Sequence, residues 1–280
     1  MNCKIEIVPR LLHFKQPAGT SRGVYTTRKV WYVHFTSPEF PGRVGVGECA
    51  PLPKLSCDDL PDYGKRLADV CRWVEEQGGK LDGETAIRHF FEGTWALWNT
   101  AFSRGEAGIP INGLIWMGDF DKMLVQIEAK MKEGFRCIKL KIGAINFEEE
   151  LALLRHIRAH FSAGEVELRV DANGAFSPVD AMEKLKRLSE LDIHSIEQPI
   201  RAGQWEEMAR LTSESPLPIA LDEELIGCNT LEGKQRLLSA IRPQYIILKP
   251  SLHGGFTGGE EWIAEAEKRN IGWWVTSALE

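Results

Sequence analysis

The sequence lacks long apolar runs and clusters of basic residues. No stretch approaches the roughly 18 consecutive apolar residues of a membrane span, and the first ten residues, MNCKIEIVPR, lack the apolar core of a signal peptide. The chain carries 34 Lys and Arg against 40 Asp and Glu, a net charge of −6, and its basic residues are scattered. We therefore expect neither a membrane nor a nucleic acid as a partner.

The sequence contains no CxxC pair, and its six cysteines do not form a dense framework. Free thiols in a reducing cytoplasm are the simplest account of this pattern. At 280 residues with 43% hydrophobic and 26% charged residues, the chain can bury a large core. Its length fits one large α/β barrel or two ordinary domains.

The character of the sequence changes near residue 105. The segments KIEIVPRLLHF, KVWYVHFTS and GRVGVGECAPLP are typical of strands, and residues 57–77 and 83–104 show helical spacing of apolar residues. We expect an α+β domain over residues 1–105. Within it, the polar stretch KQPAGTSRGVYTTR, residues 15–28, predicts a mobile loop.

Residues 106–280 alternate between apolar strands and amphipathic helices. Seven segments have strand character: INGLIWM, RCIKLKI, VELRVDA, HSIEQPI, LPIALDEE, QYIILKP and GWWVTSA. Helical segments such as FEEELALLRHIRAHF lie between them. Such alternation predicts a parallel sheet with right-handed crossovers, and seven uninterrupted units favour a barrel over a doubly wound sheet.

A charged residue recurs near the ends of five consecutive predicted strands. These residues are Lys141, Asp171, Glu197, Asp222 and Lys249, separated by 30, 26, 25 and 27 residues. The separations are close to the roughly 31 residues per unit of a barrel of about 250 residues, whose carboxyl strand ends form one mouth. Their regularity predicts one polar site at that mouth.

The order of these residues indicates a chemistry. Three carboxylates on adjacent strands repel one another unless a cation lies between them, and an all-oxygen site suits Mg²⁺ (or Mn²⁺) better than Zn²⁺. Lys141 and Lys249 flank the carboxylates, and a lysine near such a cation can serve as a base. We therefore expect proton abstraction next to the carboxylate of a small-molecule substrate.

Lys139 and Lys141 lie two apart in the apolar stretch CIKLKIG, so both side chains point to one side of the predicted strand. Simpler structural interpretations of the charged residues stay open at this point. The lysines could extend their ammonium groups to solvent from the strand end, and Asp171 could initiate an Asx turn in DANG. Glu197 and Asp222 could cap strand or helix ends, and Lys249 could be a surface lysine.

Five motifs, KLKIG, RVDANGAF, IEQPI, LDEEL and ILKPSLHGG, resemble in order and spacing those of the enolase superfamily, muconate-lactonising subgroup. The resemblance implies an enolase-type (β/α)7β barrel over residues 106–280 and a capping domain over residues 1–105. It further implies Mg²⁺ ligands at Asp171, Glu197 and Asp222, with Lys141 and Lys249 acting on opposite faces of the substrate. Lys139 would hold the substrate carboxylate, and Ser277 lies where relatives contact substrate.

Within the subgroup, GECAPLP and INGLIW resemble the o-succinylbenzoate synthase family. Its members dehydrate 2-succinyl-6-hydroxy-2,4-cyclohexadiene-1-carboxylate in menaquinone biosynthesis. Relatives that racemise N-acyl amino acids, and cycloisomerases of the muconate type, share the site residues and remain alternatives. A non-catalytic barrel homologue is a further alternative.

The sequence ends at WWVTSALE, on or just after the seventh predicted strand, whereas members of the family continue with another helix, an eighth strand and a tail. From this resemblance we expect a barrel cut short after strand 7. The remaining features predict structure: a solvated helix face for His156 and His160, a flexible glycine-rich loop over residues 253–259, and packing for Trp273 and Trp274.

Overall fold

The structure, a computed structural model, describes residues 3–20, 23–79 and 100–279. The chain forms two compact units. One comprises Met1–Gln16 and Thr26–Pro110, and the other comprises Pro17–Tyr25 and Ile111–Glu280.

The N-terminal region contains a three-stranded sheet in the order β1 (Lys4–Thr20), β2 (Gly23–Thr36), β3 (Gly45–Cys49), followed by helix α1 (Tyr63–Glu76). Strands β2 and β3 are antiparallel, with Trp31 opposite Cys49. Helix α1 lies within the first predicted helix. For the second predicted helix, residues 80–99 lie outside the described residues, and residues 100–104 form turns instead of a helix.

The prediction of a mobile loop at residues 15–28 is wrong for every residue described there. Residues 15–20 belong to β1 and residues 23–28 to β2, while residues 21 and 22 lie outside the described part. The segment VYTT supplies β-branched and aromatic residues that favour a strand. Strand pairing outweighs the local signal of the neighbouring proline and glycines.

The second unit is built on a parallel sheet of seven strands whose spatial order follows the chain. The strands are β4 (Gly113–Ile115), β5 (Cys137–Lys141), β6 (Glu167–Asp171), β7 (Ile193–Glu197), β8 (Ile219–Leu221), β9 (Tyr245–Leu248) and β10 (Gly272–Val275). Within the described residues, β4 and β10 form the two edges of the sheet.

One helix follows each of the first six strands of this sheet, which confirms the predicted alternation. The helices are α2 (Phe120–Lys132), α3 (Phe147–His160), α4 (Pro178–Ser189), α5 (Trp205–Glu214), α6 (Leu231–Ile241) and α7 (Gly255–Glu267). Four of them begin after a residue whose side chain accepts a backbone N–H bond, namely Asp119, Asn146, Ser177 and Thr230. Such caps satisfy donors that the first turn of a helix leaves unpaired.

Alternation along β5 explains the pattern CIKLKIG. Ile138 and Leu140 are fully buried in the hydrophobic core that the strands share with the helices. Because side chains alternate across a strand, Lys139 and Lys141 point to the opposite face of the sheet, inside the curve of the barrel. The two lysines therefore project together, as the sequence predicts.

The prediction of a flexible loop over residues 253–259 is wrong, because α7 begins at Gly255. A Cβ added to Gly258 would lie 1.8 Å from the carbonyl oxygen of His253, so the glycine permits a close approach of the backbone. His160 is exposed, and its Nδ1 lies 2.8 Å from the carbonyl oxygen of His156, in keeping with a solvated helix face.

All six cysteines are free thiols, as expected. They are Cys3, Cys49, Cys57, Cys71, Cys137 and Cys228. Among the helices in the described ranges, none combines the length and apolar character needed to span a membrane. The cytoplasmic location expected from the cysteine pattern stays a prediction.

Candidate active site

Strand register brings the predicted site residues to one end of the parallel sheet. Lys141 lies opposite Asp171, and Asp171 lies opposite Glu197. Asp222 immediately follows β8, and Lys249 immediately follows β9. All five residues therefore stand at the carboxyl ends of adjacent strands, where barrel enzymes place their active sites.

Asp171, Glu197 and Asp222 form a buried carboxylate triad. All three residues are fully buried, and one carboxylate oxygen from each lies within 4.8 Å of the others. Within the described part of the chain, Asp222 Oδ1 is buried and has no hydrogen-bond partner. An all-oxygen donor set with an unsatisfied buried oxygen fits a hard divalent cation such as Mg²⁺.

Three lysines compensate the triad. Lys139 Nζ donates to both oxygens of Glu197, at 2.7 and 2.6 Å, and lies 3.3 Å from Asp171 Oδ2. Lys141 Nζ donates to Asp171 Oδ2 at 2.8 Å, and Lys249 Nζ donates to Asp222 Oδ2. Each lysine side chain is at most 12% exposed, so these are buried ion pairs.

Burial and charge act in opposite directions on the carboxylates. Burial alone would raise the pKa of Asp171, but the positive charges of Lys141 and Lys139 lower it below its normal value. Burial raises the pKa of Glu197; Lys139 opposes this rise, and the neighbouring carboxylates Asp171 and Asp222 add to it. The lysines therefore stabilise the ionised form of Asp171 more than that of Glu197.

The lysines show the complementary effect. Burial alone would lower the pKa of Lys139, but the charges of Glu197 and Asp171 raise it above its normal value. For Lys249, burial is likewise outweighed by Asp222 and then by the charge of Glu223, so its pKa is raised. Ion pairing thus favours the ammonium form of both side chains.

The structure brings together all six predicted charged residues, including Lys139. Ser277 follows the end of β10 by two residues and is exposed, whereas the three carboxylates are buried. In the described ranges, no hydrogen bond joins Ser277 to the carboxylates. Its contact with substrate stays a prediction.

Asn173 and Glu223 belong to the site, although the sequence did not single them out. Asn173 Oδ1 accepts a bond from Lys141 Nζ at 2.8 Å, and Asn173 Nδ2 donates to Glu223 Oε1 at 2.9 Å. Burial, followed by the charges of Asp222 and Asp171, raises the pKa of Glu223 to about 7. The motif DANG could have indicated the position of Asn173, because it is typical of an Asx turn. In that turn, Asp171 Oδ1 accepts the backbone N–H of Asn173 at 3.0 Å.

Two further buried side chains hold the backbone of site residues. His253 Nδ1 accepts the backbone N–H of Lys249 at 3.1 Å, and burial lowers the pKa of His253 to about 4. Gln198 Oε1 accepts the backbone N–H groups of Asp222 and Glu224, at 3.3 and 3.2 Å. Gln198 lies in the motif IEQPI and His253 in ILKPSLHGG, but the sequence alone assigns neither residue a role.

A pocket of about 740 Å³ opens at the same end of the sheet. Its lining includes Met117, Gly143, Asn173, Gln198, Arg201 and Glu223. Asn173 and Glu223 connect it to Lys141 through the hydrogen bonds described above. The space is therefore adjacent to the carboxylate triad and large enough for a small molecule.

Comparison with known proteins identifies the family. The family model of the enolase C-terminal domain matches residues 122–279, which include every residue of the ion cluster. The chain belongs to the enolase superfamily. The predicted fold class, an enolase-type α/β barrel with an N-terminal domain that contains an antiparallel sheet, is confirmed.

Among curated relatives, the o-succinylbenzoate synthase of Desulfotalea psychrophila is 46% identical over 96% of this chain and 84% of the relative. The L-Ala-D/L-Glu epimerase of Bacillus subtilis is 26% identical over 92% of this chain and 75% of the relative. The similarity to a synthase is therefore much stronger than the similarity to an epimerase.

Solved structures give the same result for the fold. The crystal structure of MenC from Desulfotalea psychrophila matches with a TM-score of 0.80 and 40% identity, covering 100% of this chain and 87% of that chain. The structure of the o-succinylbenzoate synthase from Thermosynechococcus elongatus, complexed with Mg in its active site, matches with a TM-score of 0.77 and 23% identity. The match covers 100% of this chain and 85% of that chain. Enzymes of this superfamily use a divalent metal and act on small molecules, and the triad here has a donor set that can hold such a metal.

Proposed function

We propose that this protein is an o-succinylbenzoate synthase, a lyase of menaquinone biosynthesis. It removes water from 2-succinyl-6-hydroxy-2,4-cyclohexadiene-1-carboxylate and so forms an aromatic ring. The observation that carries the proposal is the 46% identity to the Desulfotalea synthase over nearly the whole chain. The complete set of buried lysines and carboxylates supports it.

Asp171, Glu197 and Asp222 are the proposed ligands of the metal, which is Mg²⁺, with Mn²⁺ as the alternative. The unsatisfied Oδ1 of Asp222 and the all-oxygen donor set support this assignment. When bound, the divalent cation supplies a positive charge that stabilises negative charge forming on the substrate carboxylate.

Lys141 is the proposed base and acid. As a neutral amine, its Nζ takes the proton from the carbon that bears the ring carboxylate, and the C–H electron pair stays on the substrate as an enediolate. The ammonium of Lys141 then returns that proton to the departing hydroxyl group, the C–O bond breaks, and water leaves. Asn173, bonded to Lys141 Nζ at 2.8 Å, orients the amine during both transfers.

Lys249 and Lys139 act as cations in this scheme. Lys249 remains an ammonium on the opposite face of the ring and stabilises the enediolate. The pairing with Asp222 and the proximity of Glu223 raise its pKa, in keeping with a cationic role. Racemisation in either direction needs a neutral amine on one face and an ammonium on the other, so an ammonium at Lys249 is compatible with both reactions. Lys139 holds the substrate carboxylate.

The experiment that tests the proposed function is a steady-state assay of the purified protein. The cyclohexadiene substrate and N-succinyl amino acids are compared, each with Mg²⁺ and with a chelator. We expect Mg²⁺-dependent formation of o-succinylbenzoate and slow or no racemisation. If the protein racemises N-succinyl amino acids with a much higher kcat/KM than it dehydrates the cyclohexadiene, the proposed substrate is wrong.

A further inference from the structure

Glu150 is a buried carboxylate that reaches the turn after β5. It lies in the first turn of α3 and is only 1% exposed. Its Oε1 accepts three consecutive backbone N–H groups, from Gly143 at 2.5 Å, Ala144 at 3.2 Å and Ile145 at 3.4 Å. A single carboxylate oxygen therefore holds the whole turn that connects β5 to α3.

This turn is packed tightly against the segment that follows β6. Gly143 has a φ of +92°, and a Cβ added there would lie 2.4 Å from the Cβ of Ala175. The backbone N–H of Ile142 donates to the carbonyl oxygen of Asp171 at 2.9 Å. The turn is thus fixed from one side by Glu150 and from the other by the segment that carries Asp171 and Asn173.

Lys141 precedes the turn by one residue, Ile142, so the position of the turn sets the end of β5. The Lys141 ammonium must meet two partners at 2.8 Å, Asp171 and Asn173, which lie on the neighbouring segment. A displacement of about 1 Å in a group that transfers a proton can reduce a rate about a hundredfold. The geometry of the base therefore depends on the turn.

The charge surroundings of Glu150 also indicate a role as a backbone clamp. Burial raises its pKa, and the three N–H groups oppose the rise, as does the more distant charge of Lys184. In the described ranges, the hydrogen bonds of the Glu150 side chain all come from backbone donors. Glu150 therefore holds the turn without forming an ion pair.

We propose that Glu150 is a positioning residue for Lys141, acting through the turn 143–145. The inference rests on the proposed function only in taking Lys141 as the base. It predicts that Glu150 affects the rate of proton transfer more than the binding of substrate. A neutral side chain of the same length can replace it, because accepting the N–H bonds needs an oxygen at that place and not a full charge.

The test compares Glu150→Gln, Glu150→Asp and Glu150→Ala, with Glu149→Ala as the matched control, because Glu149 is its exposed neighbour on the same helix. We expect Glu150→Ala and Glu150→Asp to lower kcat at least about tenfold with little change in KM. Glu150→Gln should stay within about threefold of the wild type, as should the control. Hydrogen exchange at the amides of residues 143–145 should accelerate in the Ala and Asp variants and stay slow in the Gln variant.

Each outcome bears on the proposal. If exchange accelerates in Glu150→Asp but kcat is unchanged, Glu150 does not position the base and the inference is overturned. If Glu150→Gln is as impaired as Glu150→Ala, the clamp interpretation is overturned. Should Glu150→Ala fail to fold, the Asp and Gln variants decide between these results. If the wild-type protein proves inactive on the cyclohexadiene, the proposed function fails while the exchange data still test the clamp.

Discussion

Replacing Lys139 with Met is expected to destabilise the metal-free protein strongly. Lys139 makes two short bonds to Glu197 and lies 3.3 Å from Asp171, and both carboxylates are fully buried. Methionine has a similar length and leaves little empty volume, so the main loss is the charge. Removing one partner of a buried ion pair costs about 3–5 kcal/mol, because the other charge stays buried without compensation.

Urea unfolding in the presence of a chelator measures this effect. With a slope of about 3 kcal/mol per molar urea, a loss of 3–5 kcal/mol lowers the midpoint by about 1–1.7 M. Lys122→Met is the matched control, because Lys122 forms an ion pair with Asp119 at 2.6 Å on an exposed helix start. Solvent screens that pair, so its loss should barely move the midpoint.

Added Mg²⁺ should restore much of the lost stability in Lys139→Met, because the cation compensates the same carboxylates. A ligand at one hundred times its Kd stabilises by about 2.7 kcal/mol. If Lys139→Met unfolds at the wild-type midpoint in chelator, the buried carboxylates do not depend on Lys139, and the electrostatic account of the triad is refuted.

Three further predictions concern the lysines, the triad and His253. Lys141→Ala should lower kcat about 10²- to 10⁴-fold with an unchanged circular dichroism spectrum, and near wild-type turnover would contradict the mechanism. Lys249→Arg should recover part of the activity that is lost in Lys249→Ala. Asp222→Asn should weaken Mg²⁺ binding at least about tenfold in titration calorimetry, and unchanged affinity would remove Asp222 from the metal site. Burial lowers the pKa of His253 from 6.5 to about 4. The stability that its neutral form contributes is therefore complete above pH 6.5 and is lost as the pH falls towards 4. The total loss is on the order of 3 kcal/mol. His253→Asn, which keeps an acceptor for the Lys249 N–H, should reduce the difference between urea midpoints at pH 7 and pH 5; an unchanged difference would assign that acid sensitivity to other groups.

The position of the site followed from the sequence because a barrel repeats one unit of nearly constant length. Separations of 30 and 26 residues place Lys141, Asp171 and Glu197 at the same height on successive strands, and the observed register pairs them directly. Alternation within β5 likewise predicts that Lys139 shares the face of Lys141. Both inferences use regular geometry, which local sequence encodes well.

Contacts that depend on irregular backbone could not be predicted in this way. Glu223 meets Asn173 because a short 3₁₀ turn over Glu223–Leu225 follows β8, and His253 meets Lys249 through a second turn over Pro250–Leu252. The glycines of residues 253–259 suggested flexibility, although one of them allows a close helix contact. In each case a tertiary contact decides the conformation, and the residue types alone do not reveal it.

The charges of the cluster bear on the kind of substrate that the site binds. In the metal-free site, each carboxylate of the triad forms an ion pair with one of the three lysines. A divalent cation that enters this site adds two positive charges in a region of low dielectric, where uncompensated charge is costly. The proposed substrate carries two carboxylates, one on the ring and one on the succinyl chain, and so can offset this added charge. We therefore expect the metal-loaded site to bind a dicarboxylate more tightly than the matching monocarboxylate, because the second carboxylate offsets more of the added positive charge.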